Sequence, residues 1–235
     1  MYVVVAHSEE IEGQYVADEL IACCHEKLAG RAPKAGIMLA AIDSEFEVLV
    51  NQIMDKWPAL ELIGASTDGE MSSESGFADD SVTLMLFGGD DVDIVAGVGL
   101  NTSENIEAAC TQAISEASAK TSKPMRFAVT IPESLSVAEK HVIVGSLVEN
   151  LGKDVPLFGG TSADQWRFKE TRQFCGRQVL RDSVPLLIFA GDIQVSHGLA
   201  TGWKAMGEPG TVTRAEGATV HEIDDLTALQ FYQKY

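Results

Sequence analysis

Two loops of small and hydroxyl-bearing residues, GASTDG (64–69) and GGTSAD (159–164), each follow a short apolar run. Glycine lets the backbone come close to a ligand, and Ser, Thr and Asp supply short hydrogen-bonding side chains at a turn. Only the second loop runs on into a cationic and aromatic stretch, QWRFKETRQFCGRQVLRD (165–182), in which Arg167, Lys169, Arg172, Arg177 and Arg181 alternate with Trp166, Phe168 and Phe174. Guanidinium groups pair with carboxylates in a fork and stack on planar groups, so this pattern suits a clamp for an anionic, partly flat ligand. The alternation R-F-K and Q-F-C predicts a hairpin with one basic and one apolar face. The corresponding stretch after the first loop, GEMSSESGFADD, is acidic. The candidate binding residues are therefore Gly159, Gly160, Thr161, Ser162, Trp166, Arg167 and Arg172, joined by His197 and Trp203 from VSHGLATGW, which reads as a strand.

Catalytic motifs are scarce. GASTDG lacks the final glycine of a nucleophile elbow, and no Walker loop, G-x-G-x-x-G, H-E-x-x-H or C-x-x-C is present. His25 and His141 fall on expected helices, His7 ends the first strand and His221 lies in a short strand. Cys23, Cys24, Cys110 and Cys175 have no metal-type spacing and read as reduced thiols. No catalytic residue and no metal ligand is assigned.

The elements that position these loops follow from periodicity. Strands are expected at 2–6, 36–42, 60–65, 81–87 and 92–100, and helices at 9–28 and 45–56, with GGDD between the last two strands as a hairpin turn. Ser44 with Glu47, and Ser136 with Glu139, are spaced as capping boxes. The order then recurs: HSEEIE matches TSENIE, Gly64 matches Gly159, and DDSVTLMLFGGD matches RDSVPLLIFAGD. The expected fold is α/β, with duplicated β-α-β-α-β-β units forming layered mixed sheets flanked by helices. The units are 1–95 and 96–200, followed by 201–235.

Charge narrows the partners. Of the net −18, residues 1–120 hold 22 acids and 5 bases, a balance that repels nucleic acid and anionic lipid. No run approaches the roughly 20 apolar residues of a spanning helix, so a soluble, cytoplasmic protein without membrane insertion is expected.

GIMLAAIDSEFEVLVNQI, LIGASTDGEM, PLFGGTSAD and VSHGLATGWKAMGEPGTVTRAEGATVHEID, in that order, resemble the N-terminal part of a FIST domain, a sensory module of bacterial signalling proteins. The final TALQFYQKY resembles the opening of the C-terminal FIST portion, so the resemblance implies a chain that continues. It implies binding of a small molecule such as an amino acid, without a cofactor and without catalysis, and output through a histidine kinase, diguanylate cyclase or chemoreceptor. Two alternatives stay open. Some relatives are haem-based nitric oxide sensors, which would give His197 or Cys175 an axial role and the arginines the propionates. An enzyme on a duplicated α/β scaffold is the other.

Overall fold

The computed structural model describes residues 1–136 and 140–234. Two compact units result, Met1–Val195 and Ser196–Tyr235. In the first, the chain runs β1 (Tyr2–Ser8), α1 (Gly13–Leu28), β2 (Ala35–Ala41), α2 (Phe46–Lys56), β3 (Glu61–Thr67), β4 (Glu70–Ser72), β5 (Gly76–Ala78) and β6 (Val82–Gly88). It continues through β7 (Val92–Leu100), α3 (Ile106–Ser118), β8 (Met125–Thr130), α4 (Lys140–Leu151), β9 (Leu157–Gly159), β10 (Gln173–Cys175), β11 (Gln178–Leu180) and β12 (Ser183–Gly191).

Strands β1-β6-β2-β3 form one sheet and β7-β12-β8-β9 another. In each, the first three strands pair antiparallel and the last pair is parallel. The fold is thus α/β with mixed sheets. Helices α1 and α2 cover one face of the first sheet through Leu20, Cys24, Leu28, Leu49, Val50 and Ile53, which recur at helical spacing. Helices α3 and α4 cover the second sheet through Cys110, Ala113, Ile143 and Leu147. Between the sheets, Ile63 and Phe87 meet Ile94, Leu187 and Phe189. Burying each such large side chain stabilises the fold by about 1.5–3 kcal/mol.

Two local expectations are corrected, and a third falls partly outside the described residues. GGDD is no hairpin turn: β6 pairs with β1 and β2, whereas β7 pairs with β12, so the turn carries the chain from one sheet to the other. Adjacent apolar strands with a glycine turn look alike in either case. Helix α2 starts one residue later than the Ser44–Glu47 box requires, with Glu45 at its N-cap and no side-chain cap. Ser44 is instead held in a turn, its N–H donating to Ala41 O at 3.0 Å. The second box includes Glu139, which lies outside the described residues; Ser136 donates through Oγ to Asp182 at 2.9 Å.

A hairpin does form in the arginine-rich stretch, as β10 and β11, but R-F-K (167–169) lies in the loop before it and neither strand carries a basic residue, so the expected basic face is absent. The hairpin extends the first sheet, although its residues belong to the second half of the chain. Strand β10 pairs antiparallel with β3, placing Phe174 opposite Gly64. Phe174 is fully buried in the core of the first half, 5.2 Å from Phe46 between ring centroids. A β-carbon on Gly64 would lie 1.9 Å from Met38 O and 3.0 Å from the Phe174 ring, so only glycine fits there.

The second sheet keeps β7 as an edge strand, and side chains occupy its backbone. Glu61 accepts from Ala96 N, Glu116 from Val98 N and Gln112 from Leu100 N, while Lys120 donates to Ala96 O. Edge strands left open invite further pairing, and these contacts close this one.

The second unit is a three-stranded antiparallel sheet, β13 (Val212–Glu216), β14 (Thr219–Ile223) and β15 (Leu226–Thr227), followed by α5 (Ala228–Tyr232). Thr227 and Gln230 form the capping box of α5.

Candidate functional site

Strands β8 and β9 run parallel and end side by side at Thr130 and Gly159. Gly159 has φ +147°, and a β-carbon there would stand 1.9 Å from Thr130 O, so the strands close only with glycine at this position. At Gly160 a β-carbon would meet open space. Gly160 also lines a cavity of about 260 Å³, with Thr130, Pro132, Lys140, Ile143, Val144, Leu157, Phe158, Gly159 and Thr161. Three of the sequence-derived candidates, Gly159, Gly160 and Thr161, therefore share one cavity. Its walls are mostly apolar, with two hydroxyls and one ammonium group.

The next candidate, Ser162, turns away into a buried hydrogen-bond network. Its N–H and Oγ both donate to Pro132 O, and its Oγ accepts from Gln173 Nε2 at 3.0 Å. Gln173 Nε2 also reaches Thr171 Oγ1, and Gln173 Oε1 accepts from Ser183 Oγ at 3.1 Å. Ser66, at the end of β3, is held by Ala163 O and by the N–H of Arg172. These bonds fasten the loop behind the cavity to both sheets. Gln173 was not singled out from sequence, because a glutamine in an aromatic stretch carries no signal of burial.

Trp166, Arg167 and Arg172 lie on the loop between β9 and β10. The Asp164 carboxylate accepts from the N–H groups of Phe168, Lys169 and Glu170, which holds its pKa below the usual carboxylate range despite the opposing effect of burial. Trp166 is 77% exposed. Arg167 forks onto Asp43, with Nη1 at 2.6 Å from Oδ1 and Nη2 on Oδ2. Arg172 and Arg181 both pair with Glu170, and Arg177 pairs with Asp55. The guanidinium groups that sequence assigned to an anionic ligand are thus engaged with carboxylates of this chain. Asp43 and Asp55 are more than a hundred residues distant in sequence, which is why the pairing was not legible.

His197 and Trp203 belong to the second unit, and both are exposed. The expected strand around His197 is absent: residues 192–211 form no strand, and the glycines at 198, 202, 207 and 210 leave that stretch without a paired register. The residues available for haem do not fit it. Cys175 has its pKa pushed up to about 12 by burial, whereas a thiolate is the iron ligand. His197 stands exposed rather than in an apolar pocket. Among the described residues no group of three or more His, Cys, Asp or Glu is placed to hold a metal ion.

A polar cluster in the first half escaped the sequence reading. Ser72 Oγ accepts from the N–H groups of Glu74 and Ser75, which leaves its hydroxyl proton to donate to His7 Nδ1 at 2.7 Å. The other ring nitrogen, His7 Nε2, is buried without a hydrogen-bond partner among the described residues. Beside it Glu70 is fully buried, with Thr67 and Ser81 donating to its carboxylate. Burial pushes the Glu70 carboxyl upward, partly offset by those hydroxyls. Short polar residues within small strands give no periodic signal that would reveal such a cluster.

The family model described as FIST N domain matches residues 34–226. No curated protein matches the sequence. Among solved structures, a cyanuric acid hydrolase from A. caulinodans is similar at 9% identity and a TM-score of 0.35, over 86% of this chain and 68% of its own. Among the described residues, no helix is long and apolar enough to cross a membrane.

Proposed function

Because the chain belongs to the FIST N domain family, whose members are sensory domains of signal transduction, we propose that the cavity at the carboxyl ends of β8 and β9 is its sensing site. The ligand is a small metabolite with a short apolar body and an anionic group, an amino acid being the simplest case. One observation carries this reading: Gly159, Gly160 and Thr161 open onto a cavity of about 260 Å³ whose cationic wall residue is Lys140. Ligands of α/β sheets bind outside the carboxyl ends of parallel strands, where this cavity lies. Its size is just under the range typical of drug-sized ligands, which favours a small one. Pro132, Ile143, Val144, Leu157 and Phe158 suit the apolar body, and Thr161 supplies a hydroxyl to orient the polar end, the Thr130 hydroxyl being held by Pro185 O at 2.7 Å.

The reading is binding rather than catalysis, since the described lining residues include no carboxylate, imidazole or thiol to act as a base or nucleophile. Output passes to a signalling partner such as a histidine kinase, diguanylate cyclase or chemoreceptor in the cytoplasm. The two β-α-β-α-β-β halves are taken as copies of one unit, of which the second carries the site. The test is calorimetric titration of a panel of amino acids and related carboxylates against wild type and Gly160→Leu. The leucine side chain enters the cavity without backbone strain, so affinity should fall at least about tenfold with the melting temperature preserved. A panel member bound equally by both proteins would remove the site from this cavity.

A further inference from the structure

The loop 164–170 presents Trp166 and Phe168 to solvent in an unusually fixed way. Both rings are exposed, at 77% and 69%, and they contact each other edge-on with centroids 6.0 Å apart. The backbone beneath them is left-handed at three non-glycine residues, Gln165 (φ 56°), Trp166 (φ 62°) and Phe168 (φ 53°). L-residues avoid this conformation, and it persists only where surrounding contacts impose it. Here those contacts are Asp164, which gathers three N–H groups, and anchors into the first half. Gln165 N–H donates to Asp68 at 2.7 Å, its side chain donates to Asp79 O and Asp80, and Arg167 forks onto Asp43. A strained segment this firmly held, whose two large apolar side chains gain no burial from it, is arranged to display them.

The surface beside the loop defines what they meet. Asp43 and Asp80, the two anchors that flank Trp166, also line a cavity of about 270 Å³ together with Glu10, Glu45, Ser44, Ser81 and apolar residues of α1 and α2. Four carboxylates line it and no cationic residue does. Of the cations in and near the loop, Arg167, Arg172 and Arg181 are already in ion pairs, and Lys169 is exposed. Aromatic faces beside a carboxylate-lined recess attract guanidinium and ammonium groups through both the ring quadrupole and Coulomb forces. We infer that Trp166 and Phe168, with the acidic recess at Asp43 and Asp80, form a docking surface for an arginine- or lysine-rich segment of a partner protein. The surface is separate from the cavity at Gly160, so its existence does not depend on which small molecule, if any, occupies that cavity.

The experiment uses the full chain carrying Trp57→Phe and Trp203→Phe, so that Trp166 is its sole indole. The probe is a short peptide of alternating arginine and alanine, with the citrulline peptide as its uncharged counterpart. The arginine peptide should change Trp166 emission saturably and shield it from acrylamide, and the citrulline peptide should not. Measured by calorimetry in the otherwise wild-type chain, Trp166→Ala and Phe168→Ala should each weaken binding about tenfold or more, as central aromatic contacts do. Glu10→Gln should weaken it severalfold, and Asp90→Asn with Asp91→Asn, exposed acids in the β6–β7 turn, should leave it unchanged. Equal loss from the Asp90/Asp91 variant would show diffuse attraction to an acidic protein and overturn the proposal. So would Trp166 emission that responds to protein concentration without peptide, which would assign the face to a second copy of this chain.

Discussion

Phe174→Ala tests whether the second half of the chain completes the core of the first. Phe174 is fully buried, packs on Phe46, and sits in a three-residue strand whose only route into the first sheet is its pairing with β3. Truncating a buried phenylalanine removes its transfer free energy and leaves a void that close-packed neighbours fill only in part, for a loss of about 3–5 kcal/mol. Gly64 lies directly opposite and has no side chain to move into the gap. For a compact unit of this size each kcal/mol lowers the melting temperature by about 2–4 °C, so a fall of about 10 °C is expected. Phe174→Leu, which keeps most of the volume, should cost less than about 1.5 kcal/mol. Urea unfolding followed by circular dichroism reads both, and the transition should remain single because the core spans the two halves. A loss below about 1 kcal/mol, or resolution into two transitions, would refute the claim that β10 ties the halves together.

Glycine substitutions should divide sharply: Gly64→Ala and Gly159→Ala place a β-carbon 1.9 Å from a carbonyl oxygen and should abolish soluble expression, whereas Gly160→Ala should change the melting temperature by no more than a degree or two. Glu70 has a folded-state pKa above the ordinary glutamate value, so its contribution is fully present below that ordinary value and is lost as pH rises through the raised one. Glu70→Gln should accordingly flatten the decline in stability above about pH 4.5, seen as urea midpoints that converge with wild type in acid. Asp164→Ala should free the loop at Phe168–Glu170 and raise amide exchange there at neutral pH; since its pKa is depressed, wild type should lose the same protection as pH falls below the usual aspartate range. Haem titration should give no sharp Soret band that differs between wild type and His197→Ala, measured by absorption.

Long elements were legible because each carries its own local pattern. The short continuous apolar runs of β1, β2, β6 and β7, and the helical spacing in α1 and α2, are set within each element. What was not legible is non-local. Strands β4 and β5 have three residues each, too few to show a period, and although a hairpin was legible at β10 and β11, its place beside β3 is fixed by a partner far along the chain. The same holds for the site. The glycine pair drew attention to Gly159, which is pressed against the neighbouring strand, and to Gly160 beside it, but nothing near Arg167 indicates Asp43, and nothing near Ser162 indicates Pro132.

The arginine-rich stretch then has a physical role that differs from a clamp. In each sheet a glycine on the strand that runs parallel to its neighbour presses on that neighbour's carbonyl, Gly64 within β3 on Met38 O and Gly159 at the end of β9 on Thr130 O. In the first sheet that place is filled: Phe174 covers Gly64, Gln173 faces Ala65, and Ser66 is hydrogen-bonded to both Ala163 and Arg172. In the second sheet no strand follows β9, and the corresponding residues open onto the cavity. A segment reaching from the second half to the edge of the first closes one of two like positions and leaves the other accessible. The asymmetry that sequence placed in charged and aromatic side chains is therefore realised first as an asymmetry of strand pairing, and only through it as an open cavity in one half.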